Sequence, residues 1–283
     1  MTSLPRLYRA NLDAIPDQSM TDKILVLDLD ETLVSVREAD GSYQQLGIDR
    51  MTNLRRNAFA MTLDDPVDVK GLGTYEGFWG MRRPHLREFL IFAFSYFKAV
   101  IVWSAGADRY VEAIVNTIFS DIAQPHLVYA RSQCVTDARA RYHKPLRKMI
   151  SNELGLNQYM SLANTFMIDD KISTYIDNPD NGVQIPPYDP ALRINSLLSD
   201  DIALLQLKQW LLRPEVMSAP DVRLLDKRSI FHTPLSQPSP GVCVIAPDTG
   251  LLMCGTEHRK EYQQANTDDQ VSILRAALQS LRS

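Results

Sequence analysis

Two aspartates, Asp28 and Asp30, follow four aliphatic residues in the segment "ILVLDLDETLVSV" (24–36). Side chains two residues apart on a strand project to the same side, so these carboxylates converge where the strand ends. Adjacent carboxylates repel, which favours a bound cation or a raised pKa on one of them. Both outcomes suit a metal-bound nucleophile beside a proton-transferring acid. Two solvated acids on a surface loop would give the same string, so the pair alone leaves both interpretations open.

Further polar residues stand in order along the chain, each a weak signal by itself. Ser104 directly follows "AVIVW" (99–103), where a hydroxyl can hold a phosphate oxygen. Lys144 lies at a predicted helix start, where the helix dipole disfavours a cation, so we expect an anionic partner. Asp169 and Asp170 follow the apolar run "TFMI" as a second acidic pair. The set offers hard oxygen ligands for Mg²⁺ and groups that neutralise phosphoryl oxygens, and therefore predicts metal-assisted phosphoryl transfer.

Short apolar runs, separated by segments of helical period, must position these residues. The runs are too short for helices and most are wholly apolar, as expected of strands covered on both faces; they are 23–27, 99–103, 127–130 and 165–168. Between them, Pro84 stands at a first helical position, and the segment "ADRYVEAIVNTIF" carries its apolar residues on one helical face. A third helix is predicted to end at Gly155. This alternation predicts an α/β fold with a parallel sheet between helices.

Two segments interrupt the alternation. Residues 35–81 mix glycines with aromatic residues and are predicted to form a small cap or flap inserted after the first strand. Residues 214–247 hold six of the chain's sixteen prolines and are predicted to form a linker or extended arm. The C-terminal extension (248–283) is expected to contain a hairpin turn at 248–250 and a terminal amphipathic helix at 268–283. Residues 1–21 form a separate N-terminal segment.

Composition narrows the class of protein. The net charge is −4 and no block of Lys or Arg exists, so we expect no broad surface for nucleic acids or anionic membranes. The three cysteines lack metal-ligand spacing and favour a reducing compartment. The N-terminus lacks the apolar region of a signal peptide, and the longest apolar run (89–103) is too short to span a bilayer. The sequence therefore predicts a soluble intracellular protein of the nucleus or cytoplasm.

The ordered motifs resemble those of the haloacid-dehalogenase superfamily, whose first motif, D-x-D-x-T/V, is matched at 28–32. Within it, the chain is similar to the phosphatases that act on the RNA polymerase II C-terminal domain, the NLI-interacting-factor-like branch. That branch favours D-L-D-E-T-L, which stands unaltered at 28–33. Other similar segments are "RRPHLREFL" (82–90), "WSAGADRYVEAIVNTI" (103–118), "YARSQCV" (129–135) and "MIDDKISTYIDNPDNGVQI" (167–185). The resemblance covers 22–213, the expected phosphatase domain.

The resemblance implies a haloacid-dehalogenase-like Rossmannoid sheet and a role for each matched residue. Asp28 would be the nucleophile that forms an aspartyl-phosphate, and Asp30 would protonate the leaving group and later activate water. The implied Mg²⁺ ligands are the Asp28 carboxylate, the Asp30 backbone carbonyl, Asp170 and Asp169, the last as a ligand or one shell further out. The groups expected around the transferred phosphoryl are Thr32, Ser104, Arg131 and Lys144.

Several residues near the motifs carry more than one interpretation. Lys171 departs from the family pattern and adds a cation beside the metal site, either as a solvated rim residue or as a charge that tunes the site. His85 and His143 are interpreted as helix-start or packing residues, and nothing around Cys134 indicates an activated thiolate. The aromatic residues of the insert fit a hydrophobic substrate shelf and core packing equally well; they are Tyr75, Phe78 and Trp79.

These observations predict an Mg²⁺-dependent phosphomonoester hydrolase, and the resemblance favours phosphoserine or phosphothreonine on a protein as its substrate. A phosphatase for a small metabolite or a nucleic-acid end would use the same chemistry. A non-catalytic peptide-binding module is the third alternative, and the intact acids weigh against it. We expect no direct nucleic-acid or membrane partner, and the C-terminal arm is a candidate for binding a protein.

Overall fold

The computed structural model describes residues 9–64, 75–151, 155–235, 243–245 and 252–254. The strands in these ranges, in chain order, are β1 (Arg9–Ala10), β2 (Ile24–Leu27), β3 (Val34–Glu38), β4 (Ala58–Asp64), β5 (Tyr75–Arg82), β6 (Ala99–Trp103), β7 (Leu127–Tyr129), β8 (Val135–Thr136), β9 (Tyr142–His143), β10 (Thr165–Asp169), β11 (Gly182–Gln184), β12 (Cys243–Ile245) and β13 (Leu252–Cys254). The α-helices are α1 (Ser42–Gln45), α2 (Thr52–Arg55), α3 (Leu86–Tyr96), α4 (Asp108–Ile118), α5 (Leu146–Ile150), α6 (Ile194–Leu197), α7 (Ala203–Leu211) and α8 (Pro214–Met217). Within these ranges, no helix combines the length and apolar character needed to cross a membrane.

The central sheet has the order β1-β7-β6-β2-β10-β11. Its strands run parallel except β1, which pairs antiparallel with β7 at the edge. In the register, Leu27 of β2 lies between Val102 of β6 and Ile168 of β10. The predicted α/β fold with a parallel sheet is confirmed. The carboxyl ends of β2, β6 and β10 therefore meet at one edge, where open parallel sheets bind ligands.

Alternate residues of the central strands face different helices. Leu25 and Leu27 belong to a buried cluster with side chains of α3, α4 and α7. Ile24 and Val26 belong to a second cluster that includes Leu146 of α5. All four side chains of β2 are buried, which explains why this run is wholly apolar instead of alternating. The sheet is thus covered on both faces, and α5 lies on the face that Ile24 and Val26 share.

The insert after β2 forms a second, antiparallel sheet of order β3-β5-β4, with the short helices α1 and α2 beside it. Its strands pack closely at Gly80, where an added Cβ would lie 2.6 Å from the Phe59 ring. Trp79 is buried in a small core of its own with Leu54 and Tyr188, so this aromatic residue serves core packing. Phe78 is half-buried. The Tyr75 side chain lies outside what the structure describes.

The start of α3 differs from the prediction. Pro84 precedes the helix, which begins at Leu86, and His85 occupies the N-cap position in the left-handed region with φ 64°. The physical reason is a turn ahead of the helix, in which the amide of Leu86 donates to the carbonyl of Arg83 at 3.1 Å. The third predicted helix is α5, and the residues between Ser151 and Gly155 lie outside the described ranges.

The first part of the predicted linker (214–247) differs from an extended arm. Pro214 begins the short helix α8, and Val216, Val222 and Ile230 are buried in the cluster that covers one face of the sheet. Apolar residues between the prolines give this segment a packed position instead of a solvated one. β12 and β13 pair antiparallel, as a hairpin requires. The predicted turn at 248–250, the terminal helix at 268–283 and residues 1–8 lie outside the described ranges.

Candidate active site

Asp28 and Asp169 lie side by side at the carboxyl edge of the sheet. Asp28 directly follows β2, Asp169 ends β10, and the amide of Asp28 donates to the carbonyl of Ile168 at 3.0 Å. Asp28 has the same parity along its strand as Val26, and Asp169 has that of Met167, both members of the cluster on the α5 face. Strand geometry therefore turns both carboxylates toward the segment that precedes α5.

Lys144 comes from that segment and joins the two carboxylates. Its Nζ donates to Asp28 Oδ1 at 2.5 Å and to Asp169 Oδ2 at 2.6 Å, and its side chain is 1% exposed. Its amide donates to the carbonyl of Thr174 at 2.6 Å, which fixes the backbone just ahead of α5. The anionic partner expected for this lysine is thus a pair of buried carboxylates from two neighbouring strands.

Burial dominates the electrostatics of this group. It raises the pKa of Asp28 to about 8; the Lys144 ammonium lowers that pKa, and the neighbouring carboxylates of Asp169 and Asp30 raise it further. Burial lowers the pKa of Lys144, but Asp28 and Asp169 outweigh that effect and hold it above its ordinary value. Lys144 therefore remains an ammonium, and added positive charge would further favour the ionised form of Asp28.

The acidic group has the composition of a divalent-cation site. Asp28, Asp169 and Asp170 each offer a carboxylate oxygen, and these oxygens lie within 4.8 Å of one another. Asp170 Oδ1 is buried and has no hydrogen-bond partner among the described residues. Burial raises the pKa of Asp170 to about 6, Lys171 lowers it and Asp169 raises it. An orphaned buried carboxylate oxygen among hard oxygen ligands fits Mg²⁺, so the residues present suit the predicted cofactor.

The chain forms a tight loop directly after β2, and this loop holds Asp30 two residues beyond Asp28. The amides of Thr32, Leu33 and Val34 all donate to the carbonyl of Leu29, at 3.2, 2.8 and 3.1 Å. Glu31 has φ 57°, an uncommon left-handed conformation for a residue other than glycine. Its carbonyl accepts the amide of Tyr188 at 2.7 Å, which helps to hold that conformation.

Arg83 braces the same loop from inside the protein. Its guanidinium donates to the carbonyl of Thr32 at 3.0 Å and to that of Pro186 at 2.8 Å. It also forms two hydrogen bonds of 2.9 Å with the Asp201 carboxylate. The Arg83 side chain is fully buried, so a single charged group ties the acidic loop to the chain beyond β11.

The Asp30 carboxylate lies outside the three-carboxylate group and accepts the Tyr110 hydroxyl on Oδ1. Burial raises the pKa of Asp30, and this hydrogen bond lowers it. Burial, with the nearby Asp30 charge, also holds the Tyr110 pKa above its ordinary range, so the hydroxyl stays a donor. Sequence reasoning assigned no role to Tyr110, although this residue lies next to the apolar stripe of α4 and within the segment 103–118 that resembles the family.

The residues expected around the phosphoryl group have different surroundings. Ser104 Oγ accepts the amide of Gly106 at 2.9 Å, which leaves the hydroxyl hydrogen free to donate. Thr32 Oγ1 is buried without a hydrogen-bond partner among the described residues. Arg131 donates from Nε to the carbonyl of Ala105 at 2.9 Å, on the turn that follows Ser104. Two hydroxyls near the carboxyl edge thus remain able to donate to an anion.

Lys171 and Glu31 form an ion pair at the rim of the acidic group. The Lys171 ammonium also lies 3.8 Å from Asp170 Oδ2, and the two paired side chains are 57% and 37% exposed. The geometry places the unusual lysine at the solvent boundary, with its charge within reach of a candidate metal ligand.

The two histidines near the motifs contact surface carboxylates. His85 Nε2 lies 2.9 Å from Asp200, and His143 lies 3.4 Å from both Asp137 and Asp177. These contacts agree with a positioning role in the fold for both rings. Trp103 is buried against Tyr129, edge to face. Burial raises the pKa of Cys134, which agrees with an inert thiol.

Comparison with known families decides the relationship of this chain. The sequence model of a family described as NLI interacting factor-like phosphatase matches residues 23–223. The chain belongs to this family. The match extends through Val222, which the fold places in the core, and so includes part of the predicted linker.

Curated relatives of this NLI interacting factor-like chain are named ubiquitin-like domain-containing CTD phosphatase 1. The protein of Gallus gallus is 29% identical over 138 residues, covering 46% of this chain and 41% of the relative. That of Homo sapiens is 28% identical with the same coverage, and that of Drosophila melanogaster is 28% identical over 158 residues, covering 54% and 47%. The chain thus spans less than half the length of these relatives.

Two solved structures are also similar. One is a variant of the fission yeast RNA polymerase II CTD phosphatase Fcp1 bound to beryllium fluoride, with a TM-score of 0.46, 19% identity and coverage of 66% of this chain and 49% of that one. The other is Fcp1, described as an essential RNA polymerase II CTD phosphatase, with a TM-score of 0.45, 19% identity and coverage of 73% and 58%.

Proposed function

We propose that this protein hydrolyses phosphomonoesters through an aspartyl-phosphate on Asp28. The observation that carries the proposal is the convergence of Asp28, Asp169 and Asp170 with Lys144 at the carboxyl edge of the sheet. Asp30 stands two residues beyond the nucleophile, in a loop held by backbone hydrogen bonds. Membership of a phosphatase family supports this assignment.

The chemistry has two balanced halves. In the first, an Asp28 carboxylate oxygen attacks phosphorus, the bond from phosphorus to the ester oxygen breaks, and Asp30 gives its proton to the leaving oxygen. In the second, water attacks the aspartyl-phosphate, Asp30 takes a proton from that water, and the bond between Asp28 and phosphorus breaks to release phosphate. Lys144 holds Asp28 in place during both halves and offsets its negative charge.

Mg²⁺ is the proposed cofactor, held by the carboxylates of Asp28 and Asp170 and the backbone carbonyl of Asp30, with Asp169 beside them. When bound, the ion supplies positive charge against the phosphoryl oxygens. The residues proposed to contact those oxygens directly are Thr32, Ser104 and Arg131. Among the described residues, the Thr32 hydroxyl has no hydrogen-bond partner, and the Ser104 oxygen accepts the amide of Gly106 and leaves its hydrogen to donate; both observations support this role.

The proposed substrate class is phosphoserine or phosphothreonine on a protein, such as the tail of RNA polymerase II. The similarity to relatives named CTD phosphatases supports this choice. A nuclear or cytoplasmic location would suit such a substrate. The exposed, charged side chains of Lys171 and Glu31 at the rim are compatible with a peptide substrate.

The test is hydrolysis of p-nitrophenyl phosphate by the full chain with Mg²⁺, with and without excess EDTA. We expect Asp28→Asn to lose nearly all activity, whereas Asp49→Asn, a change at an exposed carboxylate of the insert, retains it. Equal rates for wild type and Asp28→Asn would refute the mechanism. A panel of phosphopeptides, sugar phosphates and phosphorylated nucleic-acid ends then tests the substrate class, and a preference for a non-peptide phosphate would overturn it.

A further inference from the structure

The Tyr110 hydroxyl donates a hydrogen bond to Oδ1 of Asp30. We propose that Tyr110 is a positioning residue that fixes the transferable proton of Asp30 on Oδ2 and holds that oxygen for the leaving group. The inference rests on the proposed function and extends it to a residue of helix α4, 80 positions further along the chain.

The argument begins with the two oxygens of a carboxylic acid. When protonated, one oxygen is a hydroxyl donor and the other accepts like a carbonyl. The Tyr110 hydroxyl donates to Oδ1, and the carbonyl-like oxygen of a carboxylic acid is the better acceptor of its two oxygens, so this contact favours the Asp30 proton on Oδ2. Without that donor, the proton is free to occupy either oxygen and the carboxyl group is free to rotate. Loss of the hydroxyl therefore removes orientation, which is a large part of general acid catalysis.

The Tyr110 ring is held from two directions. On one side, a Cβ added to Gly106 would lie 2.9 Å from Tyr110 Cδ1, so the loop after β6 touches the ring closely. On the other side, Phe78 meets it edge to face with ring centroids 5.9 Å apart. Packing on both sides restricts the movement of the Tyr110 ring, as a positioning group requires.

Phe78 connects the Tyr110–Asp30 pair to the insert. It lies on β5, which pairs with β3, and β3 begins at Val34, the end of the acidic loop. The insert is therefore linked to Asp30 in two ways: through the backbone bridge between Asp30 and Val34, and indirectly through Phe78, which packs on Tyr110. This arrangement assigns the insert a part in orienting the acid.

Tyr110→Phe tests the proposal because it removes the hydroxyl and keeps the ring against Gly106 and Phe78. Two substrates distinguish a role of Tyr110 in orienting the acid from a purely structural role. One is a phosphoserine peptide, whose alkoxide needs a proton to leave. The other is p-nitrophenyl phosphate, whose phenolate leaves readily without one. We expect kcat/KM for the peptide to fall about tenfold, with a much smaller fall for p-nitrophenyl phosphate. For each substrate, kcat/KM reports the first half of the reaction, in which the leaving group departs.

The matched control is Tyr96→Phe, since Tyr96 is buried away from the site and donates to the carbonyl of Leu211 at 2.5 Å. We expect that variant to lower the melting temperature without changing the ratio of the two substrates. An equal fall on both substrates for Tyr110→Phe, or no fall, would overturn the proposal. Failure of the wild type to hydrolyse either substrate would instead refute the proposed function, and the two failures are therefore distinguishable.

Discussion

Lys144 and Asp28 form a buried ion pair at the end of β2, with 2.5 Å between Nζ and Oδ1. The same ammonium lies 2.6 Å from Asp169 Oδ2, so one positive charge serves two carboxylates that are 9% and 1% exposed. Removal of one partner from a buried pair leaves an uncompensated charge, which is more costly than the pair itself is favourable. Lys144 is therefore needed both for stability and for the ionised state of the proposed nucleophile.

Lys144→Met keeps the length of the side chain and removes its charge. We expect the free energy of unfolding, measured by urea titration in EDTA, to fall by about 3 kcal/mol, and phosphatase activity to be lost. Lys148→Met is the control, because the Lys148 ammonium lies at the surface and donates to the carbonyl of Gln133. Equal stability of the two variants would contradict a structural role for the buried pair.

The raised pKa of Asp170 predicts a pH dependence of stability in the metal-free protein. Its folded value of about 6 lies above the ordinary value of 3.8, so the folded state binds this proton more tightly than the unfolded state does. The resulting stabilisation is complete below the ordinary value and is lost as pH rises through about 6. In EDTA, we expect the free energy of unfolding to fall over this window, and Asp170→Asn to lose that contribution.

Mg²⁺ should reverse this slope, because a metal binds the deprotonated carboxylate. At about one hundred times its dissociation constant, Mg²⁺ should add about 2.7 kcal/mol to the wild type at neutral pH and much less to Asp170→Asn. Asp49→Asn should behave like the wild type in both measurements. A flat pH profile in EDTA would contradict the raised pKa of Asp170, and equal stabilisation of Asp170→Asn by Mg²⁺ would exclude Asp170 from the cation site.

The convergence of acidic side chains at the carboxyl edge of the sheet was predictable, because it follows from the lengths of the strands and the direction of alternate side chains. The short apolar runs that end at Leu27, Trp103 and Ile168 are too short for helices, and parallel pairing aligns their ends. The carboxylates that follow these runs then lie close together, because alternate side chains along a strand point to the same side of the sheet. The lysine ahead of α5 was recognisable because its charge opposes the local helix preference, and its partners are the two carboxylates that strand parity turns toward it.

Contacts between distant segments were not predictable from local patterns. Tyr110 is one of several aromatic residues near apolar stripes, and nothing in its neighbourhood points to Asp30. The start of α3 moved to Leu86 because the chain first forms a turn at Arg83, whose partners lie more than a hundred residues away at Pro186 and Asp201. Only the three-dimensional packing of the loop beyond β11 reveals that turn.

Lys171 gives a prediction about substrate binding. Five carboxylates surround the site, and a lysine at the rim offsets part of their repulsion of a phosphate dianion; they are Asp28, Asp30, Glu31, Asp169 and Asp170. Removing one unit charge near the incoming anion costs about 1 kcal/mol, so Lys171→Ala should raise KM about fivefold with a smaller change in kcat. Lys171→Arg, which keeps the charge, should retain the wild-type KM. An unchanged KM in Lys171→Ala would leave this lysine as a solvated rim residue.

Arg83 and Arg87 are four residues apart and allow a buried arginine to be compared with an exposed one. Arg83 is buried and bonds Thr32, Pro186 and Asp201, whereas the Arg87–Asp121 ion pair is exposed at both ends. Arg83→Met should lower the free energy of unfolding by about 3–5 kcal/mol, and Arg87→Met by less than about 1 kcal/mol.

Because Arg83 also holds the carbonyl of Thr32, its loss should loosen the loop between Asp28 and Val34 even where the protein remains folded. We therefore expect kcat of Arg83→Met to fall at temperatures well below its melting transition, with the fraction folded checked by circular dichroism. Arg87→Met should keep its kcat under the same conditions. A folded Arg83→Met protein with wild-type kcat would show that the backbone hydrogen bonds to Leu29 hold the acidic loop unaided.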